Sequence, residues 1–218
     1  MGGRQLAGKQ ISKDILRIIT EVLSLVLIVI LFMNGKLQIW FGVFAVGVIV
    51  SLFAGRFFCG WVCPMGTLFR PIGWIYKKLG IKRIKTPKFF KKPWVRFVFL
   101  FLFIAAMILT KVLQIKVNFL LYMIAFSVVL TLLFTEDLWH HHLCPFGTIL
   151  SISSRFSKKG INIDENACIS CGKCQKVCPS QSIVTLESKK RVNIASECLM
   201  CYKCQDVCPA NTCNYEKL

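Results

Sequence analysis

Eight cysteines toward the C-terminal end of the sequence carry the clearest chemistry. They fall as Cys168-x2-Cys171-x2-Cys174-x3-Cys178-Pro179 and, 30 residues on, as Cys198-x2-Cys201-x2-Cys204-x3-Cys208-Pro209. Two-residue spacers let three successive thiolates converge from one tight loop on three irons of a cubane. The fourth cysteine, followed by proline, opens a helix and reaches across to the other cluster. The spacing thus assigns Cys168, Cys171, Cys174 and Cys208 to one [4Fe–4S] cluster, and Cys178, Cys198, Cys201 and Cys204 to a second. A zinc ribbon would show paired C-x2-C knuckles instead of triplets closed by C-x3-C-P. Disulfides would be reduced in the compartment that the charge pattern assigns below.

Four of the 12 cysteines stand outside this framework. Cys59-Gly60-Trp61-Val62-Cys63-Pro64 has C-x3-C spacing, which on a helix puts both thiols on one face, able to grip one metal. A second segment reads His140-His141-His142-Leu143-Cys144-Pro145, with His140 where a first cysteine would stand. Two readings fit. Cys59, Cys63, His140 and Cys144 converge as a third metal or redox site, or these are helix-ending turns that seat the cysteine-rich module. His141 and His142 read as interfacial or proton-handling residues. Cys213 matches Ile183 at the repeat offset and reads as a packed thiol beside a cluster.

The elements that must hold these residues follow. Residues 161–163 and 192–194 read as short strands ahead of each cysteine loop, and 182–187 alternates like another. Gly172 frees the first loop to turn its N–H groups toward sulfur, whereas the matching Tyr202 does not, so the two clusters are expected to differ in potential. A module of this size buries only a modest core and usually needs a metal or disulfide staple.

The preceding residues are of another kind. The chain of 218 residues is 55% hydrophobic with a formal charge of +18. Four stretches, 15–33, 37–57, 94–113 and 119–138, are long and apolar enough to cross a bilayer. No cleavage site follows the first, which is expected to remain as an anchor. Cys63-Pro64-Met65-Gly66-Thr67-Leu68 matches Cys144-Pro145-Phe146-Gly147-Thr148-Ile149 at an offset of 81, so the spans form two duplicated hairpins with both Cys-Pro motifs on one face. That face carries Arg70, Lys77, Lys78, Lys82, Arg83, Lys85, Lys88, Lys91, Lys92 and Arg96, with Arg4, Lys9, Lys13 and Arg17 before the first span and Arg155, Lys158 and Lys159 after the last. The other face shows Lys36, Lys111 and Lys116. The positive-inside rule puts both termini and the module in the cytoplasm, and the same charge pattern argues for a lipid surface and against nucleic acid. Residues 67–79 and 148–156 read as interfacial amphipathic helices, with Pro71 in the first turn or at a kink. Glu21, inside the first span, is a proton acceptor, a quinone contact or a simple partner of Arg17 one turn earlier, the last being favoured.

The expected fold is a membrane all-α domain over 1–157, with four transmembrane helices in two duplicated hairpins, followed over 158–218 by a small α+β bacterial-type 2[4Fe–4S] ferredoxin domain. On Arg56-Phe57-Phe58-Cys59-Gly60-Trp61-Val62-Cys63-Pro64, the segment 139–148 and the paired cysteine motifs, the chain resembles the NapH-type family of membrane ferredoxins, related to the membrane cores of NosR and CcoG proteins. The resemblance implies cytoplasmic clusters and electron passage from quinol toward a partner oxidoreductase or a cofactor-maturation step. His140 departs from the family pattern of a second C-x3-C-P, which puts the chemistry of that site in question. The leading expectation is an electron-transfer subunit in the inner membrane, between the quinol pool and a partner redox protein. A membrane copper or iron reductase or assembly factor, and a redox-sensing regulator, are the alternatives.

Overall fold

The computed structural model describes residues 2–81, 83–114 and 119–217, with side chains for all of these except 2–14 and 119. Lys82 and Lys116, and the side chains of Arg4, Lys9 and Lys13, therefore lie outside the described set. Helix α1 (Gly2–Met33) is followed by α2 (Ile39–Ala54), a short α3 (Phe57–Trp61) and α4 (Pro64–Leu79). Helices α5 (Pro93–Val112) and α6 (Phe119–Leu133), a π-helix (Leu138–Leu143) and α7 (Pro145–Ser153) repeat that order.

Among the described residues, two helical stretches are long and apolar enough to cross a membrane, Ile15–Met33 and Pro93–Val112. The other two expected spans form apolar helices of only 16 and 15 residues. Helix α2 stops early because Gly55, at φ 76°, leaves the helical region and lets Arg56 turn inward. Helix α6 gives way to Phe134, which bridges to Ile84. Outward faces of these helices expose large apolar side chains, among them Leu23, Val46, Phe53, Phe101 and Val112. A contiguous exposed surface of this kind marks a membrane or a partner as its neighbour.

The two halves exchange elements. Helix α1 packs on α4 and α5 on α7, while α2 packs on α7 of the second half and α6 on α4 of the first. Phe146, from the second Cys-Pro motif, sits at the crossing, 4.9 Å from Phe44 and 5.5 Å from Phe103 between ring centres. Pro64 and Pro145 each open a helix, where the missing N–H costs no hydrogen bond. Pro71 falls in the interior of α4, past its first turn.

The C-terminal module pairs β1 (Lys159–Ile163) with β4 (Cys213–Lys217), and β2 (Ile183–Thr185) with β3 (Arg191–Asn193), both antiparallel. Two five-residue helices, α8 (Lys173–Val177) and α9 (Lys203–Val207), pack together between them. Cys178 and Cys208 follow the last residues of these helices, so the fourth cysteine closes a helix where the sequence suggested that it opens one. Residues after the proline turn back at once, which leaves no room for a helix there.

One buried carboxylate fastens the module to both halves of the helical part. Glu197 meets Arg56 at 3.0 Å and Arg96 at 2.6 Å, and Ser151 donates to it at 2.8 Å. Burial pushes the Glu197 carboxyl upward, but the Arg56 charge and the hydrogen bond and charge of Arg96 outweigh it and hold the group below its ordinary value of 4.5. A carboxyl held low stabilises the fold above its ordinary value, and that contribution is lost as pH falls through the depressed value. Glu197→Gln should cost about 3–5 kcal/mol, since two buried guanidinium groups lose their counter-charge. Thermal unfolding and protease access at residues 154–159 should report this loss, and in the native chain access should rise on acidification below pH 4.5.

Candidate iron–sulfur sites

The cysteine loops of the module turn through left-handed backbone at matched places. Ser170 and Met200 have φ 58° and 53°, and Gln181 and Asn211 have 51° and 52°, each pair 30 residues apart. Gly172 at φ 70° has its counterpart in Tyr202 at φ 59°. Tyr202 thus takes the conformation expected of the glycine alone, at a cost of about 1–2 kcal/mol for a residue with a Cβ.

These turns gather the thiols around two hollows. Cys168, Cys171, Cys174 and Cys208 line the first, about 300 Å³ of atom-free space. Cys178, Cys198, Cys201 and Cys204 line the second, about 290 Å³. Each hollow therefore draws three thiols from one loop and a fourth from the opposite repeat. Among the described residues, no three His, Cys, Asp or Glu side chains close on a single metal ion. A set of four thiols around a hollow suits a multi-iron cluster, whose irons each take one thiolate. Burial raises the Cys198 thiol to about 12 and the Cys174 thiol to about 11, so uptake of iron there must displace protons.

Residues beyond the cysteines complete each site. Ser182 lies 3.4 Å from the Cys178 sulfur, and Thr212 lies 3.3 Å from that of Cys208. A hydroxyl four residues after each crossing cysteine thus recurs in both repeats, a signal present in the sequence at Cys178/Ser182 and Cys208/Thr212. Hydrogen bonds to ligand sulfur tune cluster potential. Lys190 donates to the carbonyl of Cys168, and Arg191 lines the first hollow. Lys203 lines the second, and Arg17 of α1 donates to the carbonyl of Cys201. Cys213 is buried, as its repeat partner Ile183 is, and opens β4. Its thiol reaches Cys204 of the second hollow and Cys174 and Cys208 of the first.

The second loop is seated on the first Cys-Pro motif. Trp61 donates its indole N–H to the carbonyl of Met200 at 3.1 Å. A Cβ on Gly60 would stand 2.0 Å from the carbonyl oxygen of Leu199, so only glycine permits this approach. The first hollow faces away, with Ile169 62% exposed and Cys171 on the surface. His141 donates from Nδ1 to the carbonyl of Ser180 at 2.7 Å, tying the π-helix to the same module.

Cys59 and Cys63 do not share one helix as their spacing suggested. Helix α3 ends at Trp61, and Cys63 precedes α4 in extended conformation. Cys144 occupies the matching position before α7, where its sulfur accepts from the N–H of Gly147 at 3.3 Å. Arg56 stands beside this group, with Nη2 4.0 Å from the Cys59 sulfur. Burial raises Cys59, Cys63 and Cys144, the last to about 12, and the three thiols act on one another electrostatically. His140, in the π-helix, is pushed down to about 4, by burial first and then by the Arg56 charge, and its ring packs 5.2 Å from Phe69. A neutral imidazole and three neutral thiols are thus grouped near one arginine.

Comparison with known proteins bears on both regions. A family model described as a 4Fe–4S binding domain matches residues 37–82 and again 117–164, and one described as a 4Fe–4S dicluster domain matches 160–209. An uncharacterized protein of Methanocaldococcus jannaschii is 31% identical over 143 residues, covering 64% of this chain and 58% of its own length. The putative electron transport protein YccM of Escherichia coli is 31% identical over 157 residues, covering 62% of this chain and 44% of its own. The ferredoxin-type protein NapH of Haemophilus influenzae is 27% identical over 146 residues, covering 62% and 51%. The chain thus spans about half the length of these curated relatives. No solved structure matches.

The crossed thiol sets make a specific expectation for paired variants. Cys178→Ser combined with Cys198→Ser should empty one hollow and leave about four irons of about eight. Cys178→Ser combined with Cys168→Ser should strike both hollows and leave little iron. Iron analysis of the anaerobically purified chains measures this, and the reverse ordering would contradict the crossed arrangement.

Proposed function

We propose that this member of the NapH-type 4Fe–4S ferredoxin family is a membrane-bound electron-transfer protein that works between the quinol pool and a partner redox protein. The observation that carries the reading is the pair of four-thiol hollows, crossed between repeats and clamped to helices with apolar outer faces. When bound, a [4Fe–4S] cluster supplies a one-electron carrier. Cys168, Cys171, Cys174 and Cys208 would hold one, and Cys178, Cys198, Cys201 and Cys204 the other. Ser182, Thr212, Lys190, Arg191 and Lys203 would set their potentials by hydrogen bonding and charge.

The four apolar helices are read as two membrane hairpins forming a domain over 1–157, with the ferredoxin domain over 158–218. Arg70, Lys77, Lys78, Arg83, Lys85, Lys88, Lys91 and Lys92, all on the stretch between the hairpins, favour a cytoplasmic module. In that frame the second hollow is the membrane-side one, because its loop rests on Gly60 and Trp61. The first hollow, with Cys171 and Ile169 at the surface, suits exchange with the partner.

A second reading has its own observation. The 4Fe–4S binding domain model spans both Cys-Pro motifs, and Cys59, Cys63 and Cys144 lie close enough to act on one another. To form a third metal or redox site with His140 they would have to close further, since no three such side chains converge on one ion among the described residues. Such a site would be in line with electron transfer or with reduction of a transient copper or iron ion.

Iron and sulfide counting with EPR on anaerobically purified protein tests both readings. About eight irons per chain supports two clusters, and about twelve supports a third. Zinc, or no reducible signal, would overturn the iron–sulfur account. A water-soluble quinol analogue should reduce the clusters in membranes, and a failure to do so removes quinol as the donor.

A further inference from the structure

One cleft lies outside every cysteine site. Ile18 and Val22 of α1 and Thr67, Arg70 and Trp74 of α4 line it, with Glu21 at its back, and it holds about 630 Å³ of atom-free space counting its mouth. Glu21 is 2% exposed. Its carboxylate meets Arg70 at 2.7 Å, and the charge of Arg17, the partner the sequence favours, also acts on it. Thr67 donates to its backbone carbonyl at 3.4 Å.

Two cations link the same carboxylate to the second hollow. Arg17, one turn before it on α1, donates to the carbonyl of Cys201. Lys203, which lines that hollow, is near enough for its charge to act on Glu21. A buried ion pair is weak evidence of a stability role, because an apolar pair of similar volume often serves as well. Ionisable groups kept inside an apolar helix mark functional sites. The cleft thus combines an apolar wall, a broad indole ring, a buried proton acceptor and closeness to a redox centre.

We infer that this cleft binds the headgroup of a quinol, with Glu21 as proton acceptor and Trp74 as the flat wall, an inference that rests on the electron-transfer reading above. An anionic lipid headgroup could meet Arg70 at the mouth but would find no use for the indole and the apolar wall, so it is the rival occupant that the test separates. Oxidation of the quinol breaks its two O–H bonds. The two protons pass in turn to the Glu21 carboxylate and out to water beside Arg70, whose side chain is 30% exposed. With [4Fe–4S] clusters held by the two sets of four thiols, each would take one of the two electrons, and the quinone would leave.

The test uses the full chain in lipid nanodiscs with a short-chain ubiquinone and its quinol. Addition of the quinone should quench the tryptophan fluorescence that Trp74→Phe removes, and Val22→Trp, which fills the cleft and leaves the ion pair alone, should weaken binding by at least tenfold. Glu21→Gln should slow quinol-driven cluster reduction about a hundredfold, the usual scale for loss of a proton acceptor. Its iron content and reduction by dithionite should match the parent chain. Quinone binding unaffected by Val22→Trp and Trp74→Phe, or displacement of quinone from the cleft by phosphatidylglycerol alone, would overturn the assignment. So would quinol oxidation at parental rates in Glu21→Gln and Val22→Trp. Quinone bound in the cleft of a chain whose clusters no quinol reduces would instead keep the site and sink the electron-transfer reading.

Discussion

The arrangement depends on one carboxylate. Glu197 lies one residue before the first thiol of the second hollow and is buried between Arg56, which follows α2, and Arg96 near the start of α5. A lone buried carboxylate in this position would be costly, and so would either guanidinium. All three are tolerable only together, so the loop carrying Cys198 can dock in one way and at one depth. Ser154 adds a hydrogen bond to the carbonyl of Ser196 at 3.2 Å, and Trp61 adds its own to Met200. The distance between the second hollow and the Cys-Pro motifs is therefore set by a charge constraint. Flexible docking would smear that distance, and the buried charges prevent it.

Two duplications are superposed on this seat, and each leaves a geometric trace. The 30-residue repeat of the module reproduces its left-handed residues, its hydroxyl partners at Ser182 and Thr212, and its buried strand starts at Ile183 and Cys213. The 81-residue repeat of the helical part reproduces the break before each Cys-Pro proline, where Cys63 and Cys144 are both extended. It diverges just before the break. The first half forms α3, whereas the second forms a π-helix that carries His140, His141 and His142. A π turn holds an extra residue within the same rise, and such turns concentrate at functional positions. The module touches both copies, Trp61 of one and His141 of the other, so the pseudo-symmetric helices present an asymmetric platform.

Much of this was legible in the residues, because cysteine spacing is a local code. Three thiols at two-residue intervals need one loop, and the 30-residue offset of the motifs says that the loops are copies. The two hollows then follow from thiol counting. Long-range ties were not legible. Nothing in the spacing of Arg56, Arg96, Ser151 and Glu197 announces that they meet, since they come from four separate elements. Helix ends were missed for a related reason. The apolar run through residue 57 hides the turn at Gly55, because Arg56 is drawn inward by a glutamate 141 residues away. Thiol spacing at Cys59 and Cys63 suggested a single helical face, but continuity of α3 into α4 is broken at the junction where Pro64 begins a new helix. As a tyrosine at the position matching Gly172, Tyr202 argues against the same turn there. Its αL conformation shows that loop closure around the second hollow outweighs the local steric cost.

The repeats differ at one buried position that touches both hollows. Ile183 and Cys213 occupy matching buried strand starts, yet one offers methyl groups and the other a polarisable thiol. Cys213 reaches sulfur atoms of both hollows, Cys204 on one side and Cys174 and Cys208 on the other. An isoleucine there could only exclude water. A thiol can also donate its S–H toward a ligand sulfur, and such a donor lowers the electron density on the sulfur it faces. The same logic applies to Lys190 and Arg191 beside the first hollow and to Lys203 and Arg17 beside the second, since each pair brings cationic charge to one set of thiols. Duplication therefore supplies two equal frames. The two frames differ at the hydrogen-bonding and charged positions and not at the thiols themselves.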